Sequence, residues 1–415
     1  MNRNVLVSFA ALAALTSLPG TGCKLLKKGG ADGDGAGASG SPGGGSGGPA
    51  GEVPKGKPGS GCKLPEGGVI SADFTIPKGC AVSVKENIVI NGGATLKIEP
   101  GARLAFASGT VLGVEEGKLL ARGTEKEPIV FTSAAKTQAA GDWAGIMIHE
   151  AVMAGTEISN ARIEYAGRNE HYALGALSLA DQRSAGRVTV VQTTFSNNDQ
   201  AGVGVNNDKG TFAKFEKNVL KNNKISFRAP AAVLGSIGAG NTFGDPLETH
   251  GTVTEPTTWQ AFGVPVLVTE HLKVQGEKSA PTLTLAPGTV MKFAGGSVLS
   301  VGEGNGGGLI ARQVTFTSSN ATPHPGDWVG LALHERSTNV VLEGSTFEYA
   351  GSTEHYGKGA ITFHDTTANK ARGVRISKVT FKNVAQSGIA SSDGDCGTFV
   401  RDNTATGAPL CHPAH

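Results

Sequence analysis

Aromatic residues are scarce in this chain of 415: three tryptophans, four tyrosines and 16 phenylalanines, 6% in all. No stretch carries the apolar period of a long amphipathic helix. A helical bundle is therefore excluded in favour of thin layers and many tight turns, which 62 glycines suit. Charge of one sign is missing too: 37 Lys and Arg against 35 Asp and Glu leave +2, interspersed and without a basic stripe. Nucleic acid is not expected as a partner. The five cysteines contain no CxxC spacing, which argues against a zinc site. The one long apolar run, Val5 to Leu18, is too short to span a membrane comfortably.

That run belongs to a targeting segment, preceded by Arg3 and followed by Gly20, Thr21, Gly22 and Cys23. It resembles a bacterial lipoprotein signal, which implies that residues 1–22 are removed and that Cys23 carries the lipid. Gly20 departs from that pattern, where Leu is usual three places before the cysteine; a plain secretory signal with an incidental Cys23 is the alternative. Lys24 after the cysteine implies the outer membrane rather than inner-membrane retention. Residues 23–61 are rich in Gly, Ser and Pro and bury nothing, so they read as a flexible tether spanning on the order of 30 Å. Export also suits the other cysteines, which fall as two local pairs at opposite ends of the body: Cys62 with Cys80, and Cys396 with Cys411. Each bridge would contribute about 3 kcal/mol by loop entropy, although four cysteines admit other pairings.

Length alone admits two or three domains or one repeat array, and a duplication decides. GDWAGIMIHE (Gly141 to Glu150) and EYAGRNEHYALGA (Glu164 to Ala176) return as GDWVGLALHE (Gly326 to Glu335) and EYAGSTEHYGKGA (Glu348 to Ala360). The body divides accordingly into residues 62–250 and 251–415. TLKIEPGARLAF and TLTLAPGTVMKF alternate apolar and polar residues around a Pro-Gly turn, the pattern of short strands. Phe195 and Leu220 stand 25 residues apart with an Asn-containing turn between, the period of one coil of a parallel β-solenoid. Asn197, Asn198, Asn222, Asn223 and Asn383 are expected at its corners, bonding along the stack. A break between the halves would fall at Thr252 to Val264.

The succession GTVTEPTTW, PVLVTEHLKV, TLTLAPGTVMKF, TFTSS and GDWVGLALHE resembles bacterial cell-surface right-handed parallel β-helix proteins of the pectate-lyase-like superfamily. The first half resembles them through TLKIEPGARLAF, GTEKEPIVFTS and GDWAGIMIHE, and the likeness covers about residues 72–399. It implies an all-β, internally duplicated right-handed parallel β-helix, but a fold does not supply an active site. The superfamily is rich in enzymes that cut acidic polysaccharides. The Asn-Thr-Asp, Asp-Asp and Gly-His-Gly segments of its polygalacturonase-like hydrolases are missing here. The nearest acidic cluster, Asp393 and Asp395 in SSDGDCG, reads as a turn beside a disulfide.

Candidate chemistry sits in the duplicated unit, which holds all four tyrosines, two of three tryptophans and four of ten histidines. Strand parity points Ile146, Ile148, Ile163 and Tyr165 inward and Met147, His149 and Glu164 outward. With coils about 4.8 Å apart, His149 is expected over Glu164 and His334 over Glu348, with the Glu170-His171-Tyr172 and Glu354-His355-Tyr356 turns overhanging the same face. The binding candidates are thus His149, Glu164, Glu170, His334, Glu348 and Glu354. The catalytic candidates are His171, Tyr172, His355 and Tyr356, since a neutral histidine accepts a proton near pH 7. No cofactor is expected; a divalent metal would need His149, Glu164 and His171 together. A structural ladder with Trp143 and Trp328 filling the coil produces the same duplication. The favoured reading is a monomeric envelope lipoprotein, periplasmic or on the cell surface, presenting a face to a glycan or partner protein without catalysis. A polysaccharide lyase or glycoside hydrolase working through the duplicated His, Glu and Tyr is the alternative.

Overall fold

The computed structural model describes residues 59–413, apart from 150–151, 170–173, 181–185, 209–210, 355–358 and 394–395. Cys23 and most of the tether lie outside them, as do Glu170, His171, Tyr172, His355, Tyr356 and Asp395. The described chain winds as a parallel β-helix with three strands to the turn. Phe74–Ile76, Ala81–Val84 and Ile88–Ile90 form one coil. Thr95–Ile98, Arg103–Phe106 and Val111–Val114 form the next, each strand paired in parallel with its counterpart. The three stacks are called here the first, second and third faces; the first two are seven-stranded sheets in the first half.

The alternation read in TLKIEPGARLAF explains the winding. Leu96, Ile98, Leu104 and Phe106 enter the lumen and are at most 1% exposed, while Lys97 and Arg103 face out. Each buried side chain of that size contributes about 1.5–3 kcal/mol. The turn between the strands places Gly101 at φ +76°, a conformation that only glycine adopts without penalty. Coil follows coil in register, so that Phe195 pairs with Leu220. The asparagine corners divide their labour. Asn197, Asn222 and Asn383 take left-handed backbone (φ +59°, +56° and +51°). Asn198 and Asn223 are buried and stack, Nδ2 of the first donating to Oδ1 of the second at 2.8 Å. Both cysteine pairs form, Cys62–Cys80 and Cys396–Cys411, one at each end of the stack. Gly59 and Ser60, at the edge of the Gly-rich segment, already pair with Phe74 and Thr75.

The two halves are joined by unbroken hydrogen bonding, but not face to equivalent face. Leu247–Val253 and Val266–Val274 are the longest strands, with a register irregularity at Thr249/Gly251. The third face of the first half runs through Ile225–Pro230 and Leu247–Thr249 to Val266–Val268. From there it pairs with Val290–Phe293, which by sequence is the copy of the second-face strand Arg103–Phe106. A fresh ladder starts at Gly251–Val253, pairs with Leu272–Val274 and then with Val298–Val301; this becomes the third face of the second half. The old second face stops at Thr242–Phe243, where Phe262 covers Phe243 edge-on.

Candidate functional site

The duplicated motifs mark the corresponding corner in each half, the passage from its second to its third face. Where the chain passes from second to third face, most turns are short: 107–110, 197–200 and 222–224 in the first half and 294–297 in the second. On two successive rungs of each half the connection between the two faces is longer, 134–144 then 165–174, and 319–329 then 349–360, of which 170–173 and 355–358 lie outside the described residues. A solenoid builds such loops at the cost of ordering them, and long loops on a rigid scaffold are where function concentrates.

Most of the retained residues secure the roots of these loops. The carboxylate of Asp142 accepts from the Ser133 hydroxyl at 2.6 Å and the Ala139 N–H at 3.0 Å. Asp327 does the same with Ser318 (2.7 Å) and the His324 N–H (3.0 Å). Burial alone would raise the Asp327 carboxyl; hydrogen bonds from Ser318, the His324 N–H and Asn320, with the nearby His324, outweigh it and hold it below the usual range. Trp143 and Trp328 fill the lumen, stacked on Phe106 (4.0 Å between centroids) and Phe293 (4.1 Å). Their indole N–H groups reach the carbonyls of Glu164 (3.0 Å) and Glu348 (2.9 Å) at the start of the second loop. The strand after each tryptophan opens on Gly145 or Gly330, at φ +124° and +119°. A Cβ there would lie 2.7 Å or 2.5 Å from a carbonyl of the next rung.

Two expectations from parity are corrected. Tyr165 does not point inward with Ile163: it turns the corner in left-handed backbone at φ +62° and is half-buried, and Tyr349 does the same at +60°. The alternation ends at Glu164 because a corner interrupts the strand. Nor does His149 lie over Glu164. They occupy different faces, His149 with Nε2 3.1 Å from Oε1 of Glu115 on the rung below, and Glu164 accepting from Thr132 at 3.0 Å. His334 likewise misses Glu348, which faces Lys382 at 3.5 Å. The metal set that paired His149 with Glu164 is thereby undone, and among the described residues no group of three His, Cys, Asp or Glu converges on a metal position.

What surrounds these histidines is a covered outer face. Met147 does point out of the lumen yet is only 5% exposed, packed with Val111 and Ala144 in an apolar patch outside the coil. Val298, Val329 and Ala332 repeat that patch. Two rungs on from Met147 in the same outward column, Leu174 stands where a side chain on Gly204 would have to go. In the second half His334 stacks on His364 of the next rung, centroids 4.3 Å apart and nearly parallel. Burial lowers His334 below the ordinary imidazole range, against the pull of Glu303 and Glu335. Lys273 donates to Glu303 at 3.0 Å and holds that carboxyl below its usual value. Glu354, exposed on the second loop, leans back across two rungs to Gly296. The structure thus sets His149 against Glu115 in the first half and, separately, His334 against His364 near the Lys273–Glu303 pair in the second; Glu115, His364, Lys273 and Glu303 are the residues that sequence reasoning missed. The signal for Glu115 was the register of VLGVE under GIMIH.

Asp393 is structural. It accepts from the Thr366 N–H at 3.0 Å and from Ser391, at the start of helix Thr366–Ala371. Burial opposes its ionisation, yet these bonds and that of the Thr367 N–H bring its carboxyl down to about 2.

The comparisons agree with this architecture. Residues 68–180 match the family model of the pectate-lyase like beta helix domain. The match spans the first loop pair. No curated protein and no solved structure matches the chain significantly. The domain together with the stacked parallel strands suggests a carbohydrate-related or surface protein.

Proposed function

We propose that the protein is an exported, lipid-anchored β-helix of the outer membrane that binds a carbohydrate at its swollen corner, without cutting it. The observation that carries this reading is the duplicated loop pair. Both halves expand the corresponding corner on two successive rungs and spend a serine–aspartate pair, a buried tryptophan and a left-handed tyrosine on holding it. The beta helix domain supports a carbohydrate as ligand. Two disulfides support an oxidising compartment, and Cys23 behind an apolar run supports the anchor. Exposed loop residues such as Glu354 would meet the sugar, while the His149–Glu115 pair in the first half and the His334–His364 stack in the second lie at the far end of the strand that follows each loop.

The test uses the exported Cys23→Ser chain on immobilised polygalacturonate, alginate, hyaluronate and xylan, following retention, unsaturated products and new reducing ends. Retention without turnover is expected. Turnover abolished by His171→Ala with His355→Ala would replace binding by lyase or hydrolase chemistry, and failure to retain any of the four would remove the carbohydrate reading. Cys23→Ser should also release the protein from membranes; unchanged detergent partitioning would remove the anchor.

A further inference from the structure

The duplication suggests one long groove along which both loop pairs grip a single chain. The ladder connectivity says otherwise. The outward column that holds Met147 runs through Ser178, Gly204, Arg228, Glu248, Leu267 and Lys292. Beyond Lys292 it enters Thr315–Ser318 and then Thr346–Glu348. The face beneath the first loops therefore becomes, in the second half, the face that precedes the loops. The column of Ala332, next to His334, begins only at the fresh ladder of Gly251–Val253. The first loops spring from the corner between the old second and third faces. The second loops spring from a corner one ladder farther round, between the continuation of the old third face and the new one.

We infer that the protein carries two separate carbohydrate sites on different sides of the coil and bridges two glycan strands, rather than holding one strand along a shared groove. This rests on the carbohydrate reading above. A strand lying along the axis over the first loops meets, in the second half, the Lys292 and Glu348 column and not the loops that lead into Gly330–Leu333 and Ile361–Phe363. The flanking charge differs as well: among the described residues, the second half carries the Lys273–Glu303 pair on this outer column and the first half has no lysine–glutamate pair in the corresponding place. The inference makes the protein a cross-linker of a glycan mesh, a role that one site cannot perform.

The experiment takes whichever of polygalacturonate, alginate, hyaluronate and xylan the Cys23→Ser chain retains, prepared as fragments of about ten sugars and as the intact polymer. By titration calorimetry, two fragments per protein chain are expected, and the intact polymer should turn turbid on adding protein. Glu354→Gln, at an exposed residue of the second-half loops, should lower the count to one and abolish turbidity while the other site keeps its affinity. Arg168→Ala should do the same from the other side, since Arg168 is exposed on the second of the first-half loops, where it donates to the Ser108 hydroxyl at 3.0 Å. One fragment per wild-type chain, or a single variant that abolishes all binding, would overturn the two-site inference and leave the carbohydrate reading intact. Retention of none of the four polymers would overturn both.

Discussion

The two halves keep the same devices for holding loops and diverge in what lies around them. In the first half, the second-face corners that follow the loops are filled by the Asn198–Asn223–Asp245 chain of hydrogen bonds, and the outer face carries one histidine against one carboxylate. In the second half the lumen holds a longer ring stack, Phe293 with Trp328 and Phe316 with Phe347, and the outer face carries two stacked histidines beside a lysine–glutamate pair. The lesson is that retention and function are different questions. Gly141, Asp142, Trp143 and Tyr165 return as Gly326, Asp327, Trp328 and Tyr349 because each performs a mechanical task at the loop root. The outer faces differ because nothing in the winding of the coil requires them to agree.

The hardest test of mechanical equivalence is removal of the indoles. Trp143→Ala and Trp328→Ala should each cost about 3–5 kcal/mol, as deletions of fully buried aromatics do. Both also strand a carbonyl at the start of the second loop. Trp328 has a second ring neighbour, Phe347, 6.4 Å between centroids, so its loss should be the greater. Urea denaturation measures both, and an unchanged midpoint in either would show that its ring does not fill the lumen in solution.

Much of the coil was legible in the sequence and much of the site was not, for separable reasons. The strands were legible because Leu96, Ile98, Leu104 and Phe106 alternate strictly around a Pro-Gly turn, and the corners because asparagine tolerates left-handed backbone. Tyr165 was misplaced because a period of two holds only until the corner. His149 was given the wrong partner because the 134–144 loop lengthens its coil, so that counting residues does not place Glu115 beneath it; hydrogen-bond register does. The change of ladder at Leu247–Val274 was illegible for a stronger reason. Copies that read alike carry no record of the angle between them, which is set by irregular strands outside the repeat.

A smaller effect should come from the serine–aspartate pairs. Asp327→Asn and Asp142→Asn each weaken two hydrogen bonds to a charged acceptor, so a loss of about 1.5–3 kcal/mol is expected at neutral pH. For Asp327 the carboxyl is held below its unfolded value, so its stabilisation is present above about pH 4 and disappears as pH falls through the lowered value. The wild-type chain should therefore lose ground to Asp327→Asn on acidification below about pH 4. Melting curves between neutral and acid pH decide this, and a constant difference across the range would mean that the carboxylate charge plays no part.

The smallest expected effect separates the two histidines. His149→Gln and His334→Gln should each shift stability by no more than about 1 kcal/mol at neutral pH, since each side chain sits outside the lumen, His149 against the Glu115 carboxylate and His334 stacked on the His364 ring. Acidification should bring out the role of His334. His334 is held neutral by burial, so the unfolded chain takes up its proton at higher pH than the folded one does. Its contribution is complete above the unfolded value of about 6.5 and is lost as pH falls toward the lowered folded value. His334→Gln should consequently flatten the stability profile between neutrality and mild acid relative to wild type. Parallel profiles would show that His334 titrates like an exposed imidazole, and a collapse of the fold on either substitution would place the histidines among the mechanical devices instead of near a binding site.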